Sequence, residues 1–159
     1  RSDLLDALLD RVIEGYIAEF DRLRSESRDS PEDQLCAVLG YVLDDLSTPE
    51  TTRFFPDLWQ LASRDPKMSQ RLDEMYRSYR LTLEEIIAQL CPSSDPRVHQ
   101  DLALVICGST EGQTIFTGHE RPHQARAAQI KALILEQSIA IVKSTTIICP
   151  KKTIANKYA

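Results

Sequence analysis

The stretch QARAAQIKALILEQSIAIVKS, residues 124–144, decides the fold. Ala125, Ala128, Ala132, Leu135, Ile139 and Val142 recur at alternating three- and four-residue steps, which places them on one face of an α-helix. Ala127, Ile130, Ile134 and Ile141 form a second apolar row. Gln129, Glu136 and Lys143 separate the two rows on one side, Lys131 and Ser138 on the other. A helix on the outside of a monomer needs one apolar stripe. Two stripes leave two readings: one face for the chain's own core and one for a second copy, or a helix buried at the centre of a single bundle. The first is favoured, because helical faces readily pair about a two-fold axis.

The helix before this one starts near Val98, and the segment from Thr117 to Pro122 breaks the two apart as a hairpin. It begins apolar, from Leu102 to Ile106, then turns small and polar from Gly108 through Glu111 and Gly112 to Thr114. A glycine inside a helix costs about 1 kcal/mol relative to alanine. Gly108 and Gly112 therefore ask for a reason: close approach of another helix, room for a small molecule, or simply a partly exposed face.

Working outward, four more helices precede the hairpin. The first spans about Asp3 to Arg24 on a stripe that includes Leu5, Leu9, Ile13, Tyr16 and Phe20. The second opens on Ser30-Pro31, where a serine cap is followed by a proline that needs no amide partner, and it ends at Ser47-Thr48-Pro49. The third, about Glu50 to Ser63, contains Pro56, which predicts a late start or a kink. The fourth runs from Pro66, capped by Asp65, to about Leu90 on the stripe Met68, Leu72, Met75, Tyr79, Leu83, Ile86 and Leu90. The fold class is all-α, a bundle of about six helices. After Ser144 the run Thr145–Ile148 is β-branched, and the tail to residue 159 reads as either an extended surface segment or a disordered terminus.

Composition narrows the function. The chain has 159 residues, 42% hydrophobic and 27% charged, with a net charge of −5. That size suits one domain with its own core, and that charge disfavours holding a nucleic-acid backbone. The longest apolar run, Leu102 to Cys107, is too short to span a bilayer. No signal peptide is visible, and the four scattered cysteines, Cys36, Cys91, Cys107 and Cys149, fit free thiols in a reducing cytoplasm. The first residue is Arg1, as expected of a piece of a longer protein.

Catalytic constellations are weak. His119-Glu120-Arg121-Pro122-His123 has the spelling of a zinc-protease signature, but that chemistry needs both histidines on one helical face. Pro122 and Gly118 put the segment in a turn instead. Glu120 and His123 alone are half of a di-iron pattern without a second half. No triad and no phosphate-binding loop assembles, so no enzyme, metal or cofactor is expected. The aromatic set Phe54, Phe55, Trp59, Tyr76 and Tyr79, with Met68 and Met75, fits either ordinary core or the wall of an apolar cavity. Glu111, Thr114 or the tyrosine hydroxyls would supply its polar groups.

The order of these signals resembles the effector-binding domain of the tetracycline-repressor (TetR) family of transcription regulators. The resemblance rests on Ser2–Leu9, on Phe55-Pro56-Asp57-Leu58-Trp59-Gln60-Leu61-Ala62, on Arg64-Asp65-Pro66, on Met75-Tyr76-Arg77-Ser78-Tyr79-Arg80, and on the closing pair of helices. It covers residues 1–144. It implies a sensor and dimerisation domain whose helix-turn-helix DNA-reading head would precede Arg1 and is absent here. It also implies a homodimer, a small apolar or aromatic effector, and contact with DNA only through the missing head. The residues it assigns to the ligand are Phe54, Phe55, Trp59, Met75, Tyr76, Tyr79 and Glu111. Those for the dimer face are Ala128, Ala132, Leu135, Ile139 and Val142, with Val105 and Ser109 opposite. The rival reading is a helical interaction module that binds another protein and no small molecule.

Overall fold

Four helices open with the same device, a short polar cap followed by proline. In the computed structural model, which describes residues 2–27 and 30–148, Ser30 accepts from the amides of Glu32 and Asp33. Thr48 accepts from Thr51, Asp65 from Lys67 and Met68, and Asp95 from Arg97. Each cap satisfies amides that the helix start leaves unpaired, and each proline sits where no amide is needed. The elements in order are α1 (Ser2–Glu26), α2 (Pro31–Asp45), α3 (Pro49–Ala62), α4 (Pro66–Leu90), α5 (Pro96–Glu111), α6 (Gln113–Phe116), a 3₁₀ turn at Gln124–Arg126, and α7 (Ala127–Ile148). No strand occurs among the described residues. The fold is an all-α bundle.

Helix α4 is the hub: it packs on α1, α2, α3, α5 and α7. Met68, Met75, Tyr79, Leu83, Ile86 and Ile87 are buried along it. Opposite them lie Leu35, Val38, Leu39 and Val42 of α2, and Leu102, Ala103 and Ile106 of α5. His99 is buried and pairs through Nε2 with the carbonyl of Cys91 at 3.0 Å, tying the start of α5 to the end of α4. Helix α1 is held less deeply, with Leu9 and Phe20 its fully buried side chains.

Three expectations change. Helix α3 starts at Pro49, not late, and runs through Pro56 as one helix. The Thr48 cap and the packing against α4 outweigh one missing amide. Helix α7 continues past Ser144 to Ile148, so Thr145–Ile148 is neither extended nor a tail; β-branched residues cost a growing helix only tenths of a kcal/mol. Cys149 and the rest of the tail to residue 159 lie outside the described residues.

The third change concerns which face of α7 points inward. Ile134, Ser138 and Val142 are buried, and Leu135, Ile139 and Ile141 pack against the core. Lys131, read as part of a narrow polar divider, reaches inward along α2 and pairs with Asp44 at 2.6 Å. Val142 has no exposure at all, so it does not belong to an outer dimer face. The outward arc is instead Gln129, Leu133, Glu136, Gln137 and Ala140. Ala128 and Ala132 are exposed, but they border a groove against the C-terminal end of α2.

The turn between α6 and α7 is pinned from α3. The Thr52 hydroxyl donates to the carbonyl of Leu46 at 3.2 Å and accepts from the amide of His119 at 2.9 Å. Gly118 lies so close that a Cβ there would stand 2.6 Å from the Thr114 carbonyl and 2.7 Å from the Thr52 hydroxyl. Glu120 takes a left-handed φ of 57°, and its amide donates to the Gln124 side chain at 2.9 Å. His119 and His123 therefore sit in a turn and share no helical face.

Candidate functional site

Where α1, α2, α3 and α4 meet the end of α5, the side chains leave a cavity. Ile13, Tyr16 and Phe20 of α1 line it, with Val42 of α2, Phe55 of α3, Met75, Tyr76, Ser78 and Tyr79 of α4, and Glu111 of α5. The cavity among them is small, about 30 Å³. A ligand larger than a few atoms enters only if these side chains, or α1 itself, give way. Ring contacts form the walls: Phe20 on Tyr79 at 5.6 Å, Tyr16 on Phe20 at 5.9 Å, and Phe55 on Trp59 at 6.4 Å.

A chain of hydrogen bonds closes one side. The Trp59 indole N–H donates to the Tyr76 hydroxyl at 2.9 Å, and Tyr76 donates to Glu111 Oε2 at 2.9 Å. Below it, the Tyr79 hydroxyl and Thr110 Oγ1 are 3.1 Å apart, and Thr110 donates to the Cys107 carbonyl at 2.9 Å. On the opposite side Tyr16 donates to Asp45 Oδ2. Two tyrosine-capped carboxylates thus flank an aromatic space.

The electrostatics follow from burial. Burial raises the Glu111 carboxyl to about 7; the Tyr76 hydrogen bond opposes this, and the charge on Asp45 adds to it. Asp45 is raised in the same direction by burial, against its bond from Tyr16. Tyr16, Tyr76 and Tyr79 are all pushed upward, chiefly by burial, so their hydroxyls stay protonated at neutral pH. Burial also pushes the Cys107 thiol up to about 12, which leaves it a poor nucleophile.

These shifts make the stability of the chain depend on pH. Between the ordinary carboxyl value of 4.5 and about 7, the folded chain keeps a proton on Glu111 that the unfolded chain has released. The stability contributed by this group is therefore complete below that window and falls as pH rises through it, by at most roughly 3 kcal/mol. Glu111→Gln stays neutral throughout. Urea unfolding at about pH 5 and about pH 7.5 will show the parent losing stability relative to the variant. Parallel behaviour of the two would contradict the burial of this carboxyl.

Of the residues read from the sequence as ligand contacts, Phe55, Met75, Tyr76, Tyr79 and Glu111 line the cavity together. Trp59 stands just behind, bordering an outer cleft with Tyr76, Arg80, Leu104, Cys107, Gly108 and Glu111. Phe54 packs on Phe55 at 5.3 Å and lines a separate cleft between α1 and α3. The sequence reading missed Ile13, Tyr16, Phe20, Val42, Asp45 and Ser78, while Thr110 lies in the small polar run for which room for a small molecule was one reading. Tyr16 and Phe20 were visible only as members of an apolar stripe.

On the far side of α5 and α7 lies an apolar surface. Both helices turn their inner faces to α2 and α4 and pack against each other, so their outer arcs lie side by side. Leu104 (54% exposed) and Val105 (56%) of α5, Ile115 (52%) and Phe116 (55%) of α6, and Leu133 (53%) of α7 are the large apolar side chains exposed on these helices. Ser109 is partly buried between them and the core. A Cβ on Gly108 would touch nothing within 4 Å, so packing inside the chain does not require that glycine. Among the described residues no helix is long and apolar enough to cross a membrane, and no three His, Cys, Asp or Glu side chains gather as a metal site.

The family model for the C-terminal domain of BetI-type transcriptional repressors, one of the TetR-type models, matches residues 31–137. No curated protein and no solved structure matches the chain.

Proposed function

The chain belongs to the TetR-type family of BetI-type repressor C-terminal domains, and from that membership and the cavity together we propose that it is a ligand-sensing, homodimeric regulator domain. The observation that carries this reading is the aromatic cavity closed by the Trp59–Tyr76–Glu111 hydrogen-bonded chain. Cavities of this kind, apolar with a few placed polar groups, are the usual form of small-molecule sites. The effector is small, with an aromatic or apolar body.

Helix α1 supplies three of the lining residues and, apart from them, buries only Leu9 fully among its described side chains, so it is the element most easily displaced when the cavity fills. In a full regulator a DNA-reading domain would join the N-terminal end of α1. Two such domains in a dimer must match half-sites roughly 34–36 Å apart or multiples of that spacing. A shift of α1 alters that match, and the ligand acts by its differential affinity for the two arrangements. The dimer forms through Leu104, Val105, Ile115, Phe116 and Leu133, with Ala128 and Ala132 at its margin. Leu135 and Ile139, part-buried against the core, support this face from within.

Trp59 is the single tryptophan and reports on the site directly. Titration with toluene, a small apolar aromatic probe, is expected to change its emission saturably. Absence of any saturable change with toluene, and with N-methylpyridinium as a cation of the same shape, would overturn the sensing role and favour a plain helical interaction module.

A further inference from the structure

Hydrogen-bond bookkeeping around the cavity defines what its ligand must offer. The Trp59 N–H is committed to Tyr76, and the Tyr76 proton to Glu111. The Thr110 proton goes to the Cys107 carbonyl, which leaves Tyr79 to donate to Thr110. The Tyr16 proton goes to Asp45. The Ser78 hydroxyl donates to the Glu74 carbonyl at 3.5 Å, so each hydroxyl and indole donor at the wall has a partner inside the protein. What remains is acceptor capacity, above all the second oxygen of Glu111, which takes no hydrogen bond from the described residues. Among the described residues no Lys or Arg lines the cavity. Rings of Tyr16, Phe20, Phe55, Tyr76 and Tyr79 surround it, and aromatic faces attract positive charge.

An anion finds no side-chain cation and no free hydroxyl or indole donor here, only the proton on Glu111 itself. A cation finds a carboxylate with no competing side-chain cation in the cavity. We propose that the cavity takes a small aromatic cation, which enters in exchange for the proton held on Glu111. This rests on the ligand-sensing reading above and names its ligand class. The balance is simple: one positive charge enters, one proton leaves Glu111 for solvent, and the buried site keeps its net charge. Buried near Asp45, Glu111 holds its proton in the empty site, and an arriving cation stabilises the ionised form.

The groups that face Glu111 support the assignment. Asp45 comes from α2 and Tyr16 from α1, Tyr76 and Tyr79 from α4, and Cys107 from α5; α3 brings the uncharged Trp59. Arg80 of α4 borders the outer cleft and pairs with Asp73 at 3.1 Å. The α7 lysines Lys131 and Lys143 pair with Asp44 and Glu32 of α2.

The test uses two probes of the same shape, N-methylpyridinium, charged at every pH, and toluene, charged at none. Isothermal titration calorimetry at about pH 6 and about pH 8 is expected to show N-methylpyridinium binding about tenfold more tightly at the higher pH. At the lower pH, buffers of different ionisation enthalpy are expected to reveal close to one proton released. Toluene is expected to bind equally at both, and Glu111→Gln to abolish the pH dependence for the cation. Toluene binding with a cation affinity independent of pH would overturn the exchange and leave the sensing role standing. A pH dependence kept by Glu111→Gln and removed by Asp45→Asn would overturn the assignment to Glu111. Failure of both probes to bind would overturn the sensing role and the exchange together.

Discussion

A chain carrying Val105→Glu and Leu133→Glu together is expected to sediment as a monomer at micromolar concentration, where the parent sediments at twice its 18.0 kDa. Both side chains are more than half exposed in the single chain, at 56% and 53%, so neither replacement disturbs the core. About a two-fold axis each new charge enters the interface twice. Four desolvated carboxylates of one sign would weaken association by at least about 4 kcal/mol, roughly a thousandfold. Circular dichroism should show the helical content unchanged. A dimer that survives both replacements would mean that copies meet through some other surface.

Gly118→Val is expected to cost the fold about 3 kcal/mol or more and to lower the melting temperature by about 10 °C. The added Cβ would meet the Thr114 backbone carbonyl at 2.6 Å and Thr52 at 2.7 Å. Neither neighbour is the free end of a flexible side chain. Thr52 is held on both sides, by the Leu46 carbonyl and the His119 amide, and making room breaks at least one of those bonds. The control is Gly108→Ala, whose Cβ has open space within 4 Å. It should leave the single chain as stable as before, or up to about 1 kcal/mol more so. Thermal unfolding followed by circular dichroism separates the two. Equal melting temperatures for Gly118→Val and the parent would contradict the tie between α3 and the turn.

Which parts of this were readable in advance has physical reasons. The caps at Ser30-Pro31 and Asp65-Pro66 were clear because a cap and a proline stood together before an apolar stripe. Thr48-Pro49 uses the same device but reads from the sequence as the end of α2, and α5 opens on Asp95-Pro96 although its apolar run places the start near Val98. The bounds of α4 were legible to the residue because one unbroken stripe runs through it. The inward face of α7 was not, because apolar rows run on both sides of the helix. Period alone cannot say which row meets the core. In three dimensions Ile134, Ser138 and Val142 meet the core, and Lys131 reaches Asp44, a partner 87 residues away.

The site was half legible for a similar reason. Phe54, Phe55, Trp59, Met75, Tyr76, Tyr79 and Glu111 were named from their types and from the family resemblance, and the fold brings all but Phe54 and Trp59 to the cavity wall, with Trp59 hydrogen-bonded just behind it and Phe54 in a separate cleft. Tyr16 and Asp45 escaped because nothing local marks them; their pairing spans 29 residues. The commitment of every donor in the cavity is a property of such long-range pairs, invisible to spacing.

The central claim is that filling the cavity acts on α1. Amide hydrogen exchange of the intact chain, measured with and without saturating toluene, tests it most directly. With the cavity filled, the amides of Leu5 to Val12, the half of α1 before the cavity, are expected to exchange several-fold faster, while the buried centres of α2 and α4 hold their protection. Saturation with toluene that leaves exchange along α1 unchanged would contradict it.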